Sequence, residues 1–192
     1  MCVACLRPQS TCICHWVAPV VHATEVLILQ HPLEQHHAKN SARLLHLSLS
    51  HSRLLIGEAF DEPTLRAALQ VPKYTVLLYP RAAPPLDLAP ALDPVRLRDP
   101  AQLRLVVLDG TWRKSRKMLH LSPLLQGLPR LSLEDVPESR YLIRKAHKPG
   151  QLSTLEATCA ALAQIEGQPE HFLPLLAAFY GFVTQQLGFR PP

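Results

Sequence analysis

Leu103-Arg104-Leu105-Val106-Val107-Leu108 runs straight into Asp109-Gly110-Thr111-Trp112, and this junction decides the fold. So apolar a run reads as a strand buried on both faces, the kind found inside parallel sheets. Behind it, residues 111–120 read as a helix with Thr111 or Asp109 near its N-cap. Working outward, apolar runs bounded by proline or glycine predict further strands at 25–30, 53–57, 74–79 and 129–133. Between and after them, helices are predicted at 33–49, 63–70, 153–166 and 169–187. The first has inward residues Ala38, Ala42, Leu45 and Leu49. Ser153-Thr154-Leu155-Glu156 has the pattern of a capping box. Residues 80–100 hold six prolines and are assigned no regular element. Strands alternating with helices make this an α/β protein: a mostly parallel sheet flanked by helices on both faces.

The 192 residues are 47% hydrophobic, which excludes intrinsic disorder and suits one domain with a small appendage. No apolar run reaches the roughly 18 residues a membrane helix needs. The N-terminus opens on cysteines rather than on a charged and then apolar leader, so a cytoplasmic location is expected. With seven glycines and neither G-x-G-x-x-G nor a P-loop pattern, a dinucleotide fingerprint or phosphate-cradling loop is excluded.

Cys2, Cys5, Cys12 and Cys14 follow C-x2-C-x6-C-x-C, a spacing that lets two pairs of thiolates converge on one tetrahedral ion. A structural zinc knuckle is expected, with His15 as a possible replacement ligand, in an N-terminal segment 1–22 ahead of a main domain 23–192. Cys159 sits among alanines and reads as a small buried hydrophobe. Charge is uneven. Residues 104–120 carry five cations (Arg104, Arg113, Lys114, Arg116, Lys117) against Asp109 alone, and 140–148 carry four with no acid. An anionic partner is expected, nucleic acid first. His36 and His37 read as solvated.

Ligands of parallel sheets bind beyond the carboxyl ends of the strands. Three loops there carry unusual residues: His31 to Glu34, Tyr79-Pro80, and Asp109 to Trp112. Asp109 either caps the next helix or presents a carboxylate to a cleft. Trp112 either plugs the core or stacks on a planar ligand.

Several of these stretches form an ordered set. Cys2-x2-Cys5 with Arg7-Pro8 and Cys12-x-Cys14, His31-Pro32-Leu33-Glu34 with Asn40, Leu77-Leu78-Tyr79-Pro80, Asp109-Gly110-Thr111-Trp112, Tyr141-Leu142-Ile143-Arg144-Lys145 and Ser153-Thr154-Leu155-Glu156-Ala157 occur in turn. Together they resemble the motifs of the DTW-domain family, the tRNA-uridine aminocarboxypropyltransferases. Lys114 and Ser115 stand where the resemblance leads one to expect glutamine and alanine. It implies S-adenosylmethionine as donor and transfer of its 3-amino-3-carboxypropyl group to N3 of a tRNA uridine, releasing methylthioadenosine. It also implies a SPOUT-like fold with a C-terminal trefoil knot.

On that basis Asp109 is expected to act as general base and orienting group, or to bind the donor's amino group. Tyr79, Pro80, Gly110, Thr111 and Trp112 would shape the adenosine pocket. Arg144, Lys145, Ser153, Thr154 and Glu156 would serve the rest of the donor. His31, Glu34, Arg113, Lys114, Arg116, Lys117, Arg140 and Tyr141 would face tRNA. A methyltransferase using the same donor, or a zinc-bearing RNA-binding module without chemistry, are the alternatives.

Overall fold

A computed structural model describes residues 1–81, 89–133, 139–141 and 151–188. Five parallel strands form one sheet: β1 (Glu25–Gln30), β2 (Ser52–Ile56), β3 (Tyr74–Leu78), β4 (Leu103–Asp109) and β5 (Arg130–Leu131), in the order β2-β1-β4-β3-β5. The helices are α1 (Ala42–Ser48), α2 (Glu62–Ala68), α3 (Trp112–His120), α4 (Pro123–Gln126), α5 (Thr154–Glu166) and α6 (Leu173–Gly188).

β4 is the central strand, and all seven of its residues are buried. Alternation along the strands sorts their side chains onto two faces. Val26, Ile28, Val76, Leu105 and Val107 pack with residues of α1, α5 and α6, including Leu45, Leu155, Cys159, Phe179 and Phe182. Leu27, Leu29, Leu77, Val106 and Leu108 meet Leu65 of α2, Met118 of α3 and Leu125 of α4 on the other face. Two apolar layers over an apolar sheet explain why the strand sequences are almost continuously hydrophobic.

Several expected elements differ. The helix expected at 33–49 is only Ala42–Ser48, preceded by a short 3-10 turn at Pro32–Glu34. The cause is Arg7. Its guanidinium donates to the carbonyls of Ala38 (2.8 Å) and Asn40 (3.2 Å), acceptors that a continuous helix would use internally. The Asn40 side chain then accepts from the Arg43 N–H at 3.0 Å and starts the helix afresh. The last helix is likewise divided into a 3-10 turn at Pro169–Phe172 and α6. The strand expected at 129–133 shrinks to two residues, and α4 has no counterpart in the sequence-based assignment.

Arg104, grouped by sequence with the basic block, does not belong to it. It is 1% exposed at the amino end of β4, bonded to both Glu25 carboxylate oxygens (2.8 and 3.1 Å) and to the Val71 carbonyl (3.0 Å). Among the described residues no helix is long and apolar enough to cross a membrane.

Candidate active site

The carboxyl ends of β3, β4 and β5 open into a crevice of about 260 Å³. Leu78, Tyr79 and Pro80 leave β3, Gly110 and Trp112 follow β4, and Leu131 to Leu133 follow β5. Ser153, Thr154 and Ala157 close the far side from the start of α5. The walls are mainly apolar with a few hydroxyls, the composition of a small-molecule site. Trp112, 42% exposed, lies edge-on to Tyr79 with ring centroids 5.9 Å apart. Space at Gly110 is tight: a Cβ there would come within 3.1 Å of Lys114 Cβ, which would have to give way by a few tenths of an ångström.

Six residues expected around a donor therefore line one crevice: Tyr79, Pro80, Gly110, Trp112, Ser153 and Thr154. Thr111 instead caps α3, its hydroxyl accepting from the Lys114 N–H. Glu156 completes the capping box with Ser153 and also accepts from the Ser139 hydroxyl (2.7 Å) and the Arg140 N–H (2.9 Å), tying residues 139–141 to α5. Arg144 and Lys145 lie outside the described residues. Sequence reasoning missed Ser115, Ser132, Leu133 and Leu152, because nothing local marks a serine or leucine as facing a cleft.

Asp109 is 2% exposed and sits just behind the crevice wall. Its Oδ2 accepts from Gln30 Nε2 (2.8 Å) and Asn40 Nδ2 (2.9 Å), and its Oδ1 from Thr154 Oγ1 (2.7 Å). One carboxylate thus joins the ends of β1 and β4, the approach to α1 and the start of α5. Gln30 stands directly beside Asp109 in the β1–β4 ladder. Because Thr154 donates its single hydroxyl proton to Asp109, its remaining lone pairs are acceptors. Thr154, unlike Asp109, lines the crevice.

The residues expected to face tRNA fall into two groups. Glu34 is 1% exposed and accepts from Lys114 Nζ at 2.8 Å. His31 is 4% exposed. Its Nδ1 accepts from the Leu33 N–H, and its Nε2 lies 2.9 Å from Glu58 Oε1. Lys117 Nζ reaches the other Glu58 oxygen at 3.0 Å, and these hydrogen bonds, that from Lys117 first, hold the Glu58 carboxyl below its ordinary range. Tyr141 is buried, with its hydroxyl on the Lys39 carbonyl. Arg113 and Arg116 are exposed and form no ion pair among the described residues. Arg140 is exposed and lies 4.5 Å over the Tyr180 ring.

At the other end of the chain the four N-terminal thiols converge. Their sulfur atoms all lie within 4.8 Å of one another, with Cys2–Cys14 at 3.5 Å and Cys5–Cys12 at 3.7 Å. A tetrahedral zinc with bonds of about 2.3 Å requires sulfurs about 3.8 Å apart, so the cluster fits that ion. Backbone N–H groups of Cys5 and Ala4 lower the Cys2 thiol to about 6, whereas desolvation pushes Cys14 up to about 12. Leu6 has φ 58° in the turn closed by its N–H to the Cys2 carbonyl (2.9 Å), a conformation that glycine adopts more readily. His15 is not among the converging ligands; its ring packs on Trp16. Cys159 is 1% exposed, and burial raises its thiol to about 12, consistent with a packing role.

A Drosophila melanogaster protein named tRNA-uridine aminocarboxypropyltransferase 2 is 32% identical over 195 residues, covering 97% of this chain and 74% of its own. Proteins of that name from Mus musculus and Macaca fascicularis are 30% and 29% identical. Each alignment covers 86% of this chain but only 56% of the relative, so the chain spans about half the length of these two. No solved structure matches. The DTW domain profile matches residues 1–187, and the chain belongs to the DTW domain family.

Proposed function

We propose that this chain is a tRNA-uridine aminocarboxypropyltransferase that uses S-adenosylmethionine, with the crevice between Tyr79, Trp112 and Thr154 as its donor site. The observation that carries this is the joining of the Asp109–Trp112 stretch and Thr154 around one apolar-walled crevice, in a chain whose relatives bear that name. Tyr79, Pro80 and Trp112 offer flat surfaces for an adenine. The donor's carboxylate is assigned to the Ser153 hydroxyl proton and the N–H groups of Thr154 and Leu155 at the start of α5, the Glu156 N–H being taken by Ser153 Oγ. Four thiolates leave zinc no open position, so the metal serves the fold and not the chemistry.

The transfer needs the uridine N3 in line with the first carbon of the aminocarboxypropyl chain, opposite sulfur, at about 3–3.5 Å. The N3–C bond forms as the C–S bond breaks, and methylthioadenosine leaves with the electron pair. N3 also loses a proton. Since Asp109 lies behind the crevice wall, its base role is exerted through Thr154: N3–H passes its proton to Oγ1 while the hydroxyl proton moves to Asp109 Oδ1. Gln30 and Asn40 hold the carboxylate in line for that exchange.

Arg113 and Arg116 are the proposed phosphate contacts. A SPOUT-like fold is proposed on the all-parallel five-strand sheet. The knot turns on the path of residues 134–150, of which only 139–141 are described. The test is to incubate the protein with unmodified tRNA and donor, digest to nucleosides and weigh the product. A uridine carrying the aminocarboxypropyl mass is expected. A methyl adduct would favour methyl transfer, and failure to bind the donor calorimetrically would leave a binding module.

A further inference from the structure

Lys114 and Glu34 stand 80 positions apart in sequence and meet in a 2.8 Å ion pair beside Gly110, one of the crevice-lining residues. The Lys114 stem lies against Gly110, where a Cβ would come within 3.1 Å of it, and the ammonium then reaches back to a carboxylate that is 1% exposed. A second pair, Lys117 with Glu58, fastens the next turn of α3 to the loop after β2, and His31 shares the same Glu58 carboxylate. Both lysines are engaged by carboxylates of the loops that follow β1 and β2, Lys117 while still exposed, whereas Arg113 and Arg116 are exposed and form no ion pair among the described residues. The Lys114 ammonium is already held by a buried carboxylate, so a phosphate would have to compete with Glu34 for it.

Resting on the transferase function above, we propose that Lys114 is a positioning residue. Its ion pair with Glu34 fixes Gly110 and Trp112, the donor-site wall, and it makes no phosphate contact with tRNA. Glu58 with Lys117 supports the same helix one turn further on. The loops after β1 and β2 thereby set the width of a crevice they do not line.

Two variants test this in the full-length protein. Glu34→Gln with Lys114→Met removes both charges together. Glu34→Lys with Lys114→Glu exchanges the partners, and each single charge change is its control. Trp112 reports directly, because it is exposed while Trp16 is packed on Gly181. The neutral pair is expected to increase iodide quenching of Trp112 and to lower kcat by about 10²-fold, as a misplacement near 1 Å does. Its salt dependence of tRNA binding should match wild type. The exchanged pair should recover donor affinity that Lys114→Glu alone loses. A salt slope lower by about one unit in the neutral pair would make Lys114 a phosphate contact and overturn the inference. So would an exchanged pair as impaired as Lys114→Glu while still folded by circular dichroism. If the wild type transfers nothing, the function above fails, yet quenching and donor affinity still judge the positioning role.

Discussion

In the proposed relay, Asp109 and Thr154 divide one task between a buried charge and a hydroxyl at the crevice wall. Thr154→Val keeps the side-chain volume and removes the relay, so kcat is expected to fall about 10²-fold while donor affinity stays within a few-fold. Single-turnover assays beside calorimetry measure the two separately. Asp109→Asn should cost at least as much in kcat, and because it upsets the bonds from Gln30 and Asn40 it should also lower the melting temperature. The position of Asp109 at the carboxyl end of a buried strand was legible in the sequence, since an acid at the end of so apolar a strand stands out. Its partners were not. Gln30 and Asn40 lie 79 and 69 residues away, and nothing local in their surroundings points to a carboxylate. The same distance hid the Glu34–Lys114 pair, which made both residues look like surface contacts.

Among the elements, α3 has its cations sorted by the side of the helix they occupy. Replacing Arg113 and Arg116 together by alanine should weaken tRNA binding and lower the slope of log K against log salt by roughly two units, with donor binding unaffected. A filter-binding series at several salt concentrations checks it. At α6, Gly181 leaves room for the Trp16 ring, to which a Cβ would approach within 2.1 Å, and Trp16 Nε1 donates to Gln185 at 2.6 Å. Gly181→Ala should destabilise by about 1–3 kcal/mol through overpacking and, in protein loaded with zinc, should also speed loss of the metal to a chelator, followed by thermal melting and metal analysis. The strands and α5 were predictable because apolar runs and a capping box are local signals. The break before α1 was not, because Arg7 imposes it from outside the segment.

Across the whole molecule, one buried histidine and one half-buried histidine couple folding to acidity. Burial lowers the pKa of His22, whose Nδ1 lies 2.7 Å from the Thr24 carbonyl and whose Nε2 accepts from the His51 N–H. Burial, then Arg43, does the same for His46. A folded-state pKa below the unfolded value of about 6.5 means that the unfolded chain takes up protons first. Stability should therefore be full above pH 7 and decline toward pH 5, visible as a falling melting temperature across that interval.

The contact between Trp16 and α6 joins positions 169 residues apart through the Gln185 hydrogen bond. During synthesis the four thiols leave the ribosome long before the surface that steadies them has been made. If the four thiols hold a metal, the order of translation places its secure capture late, after α6 has been made.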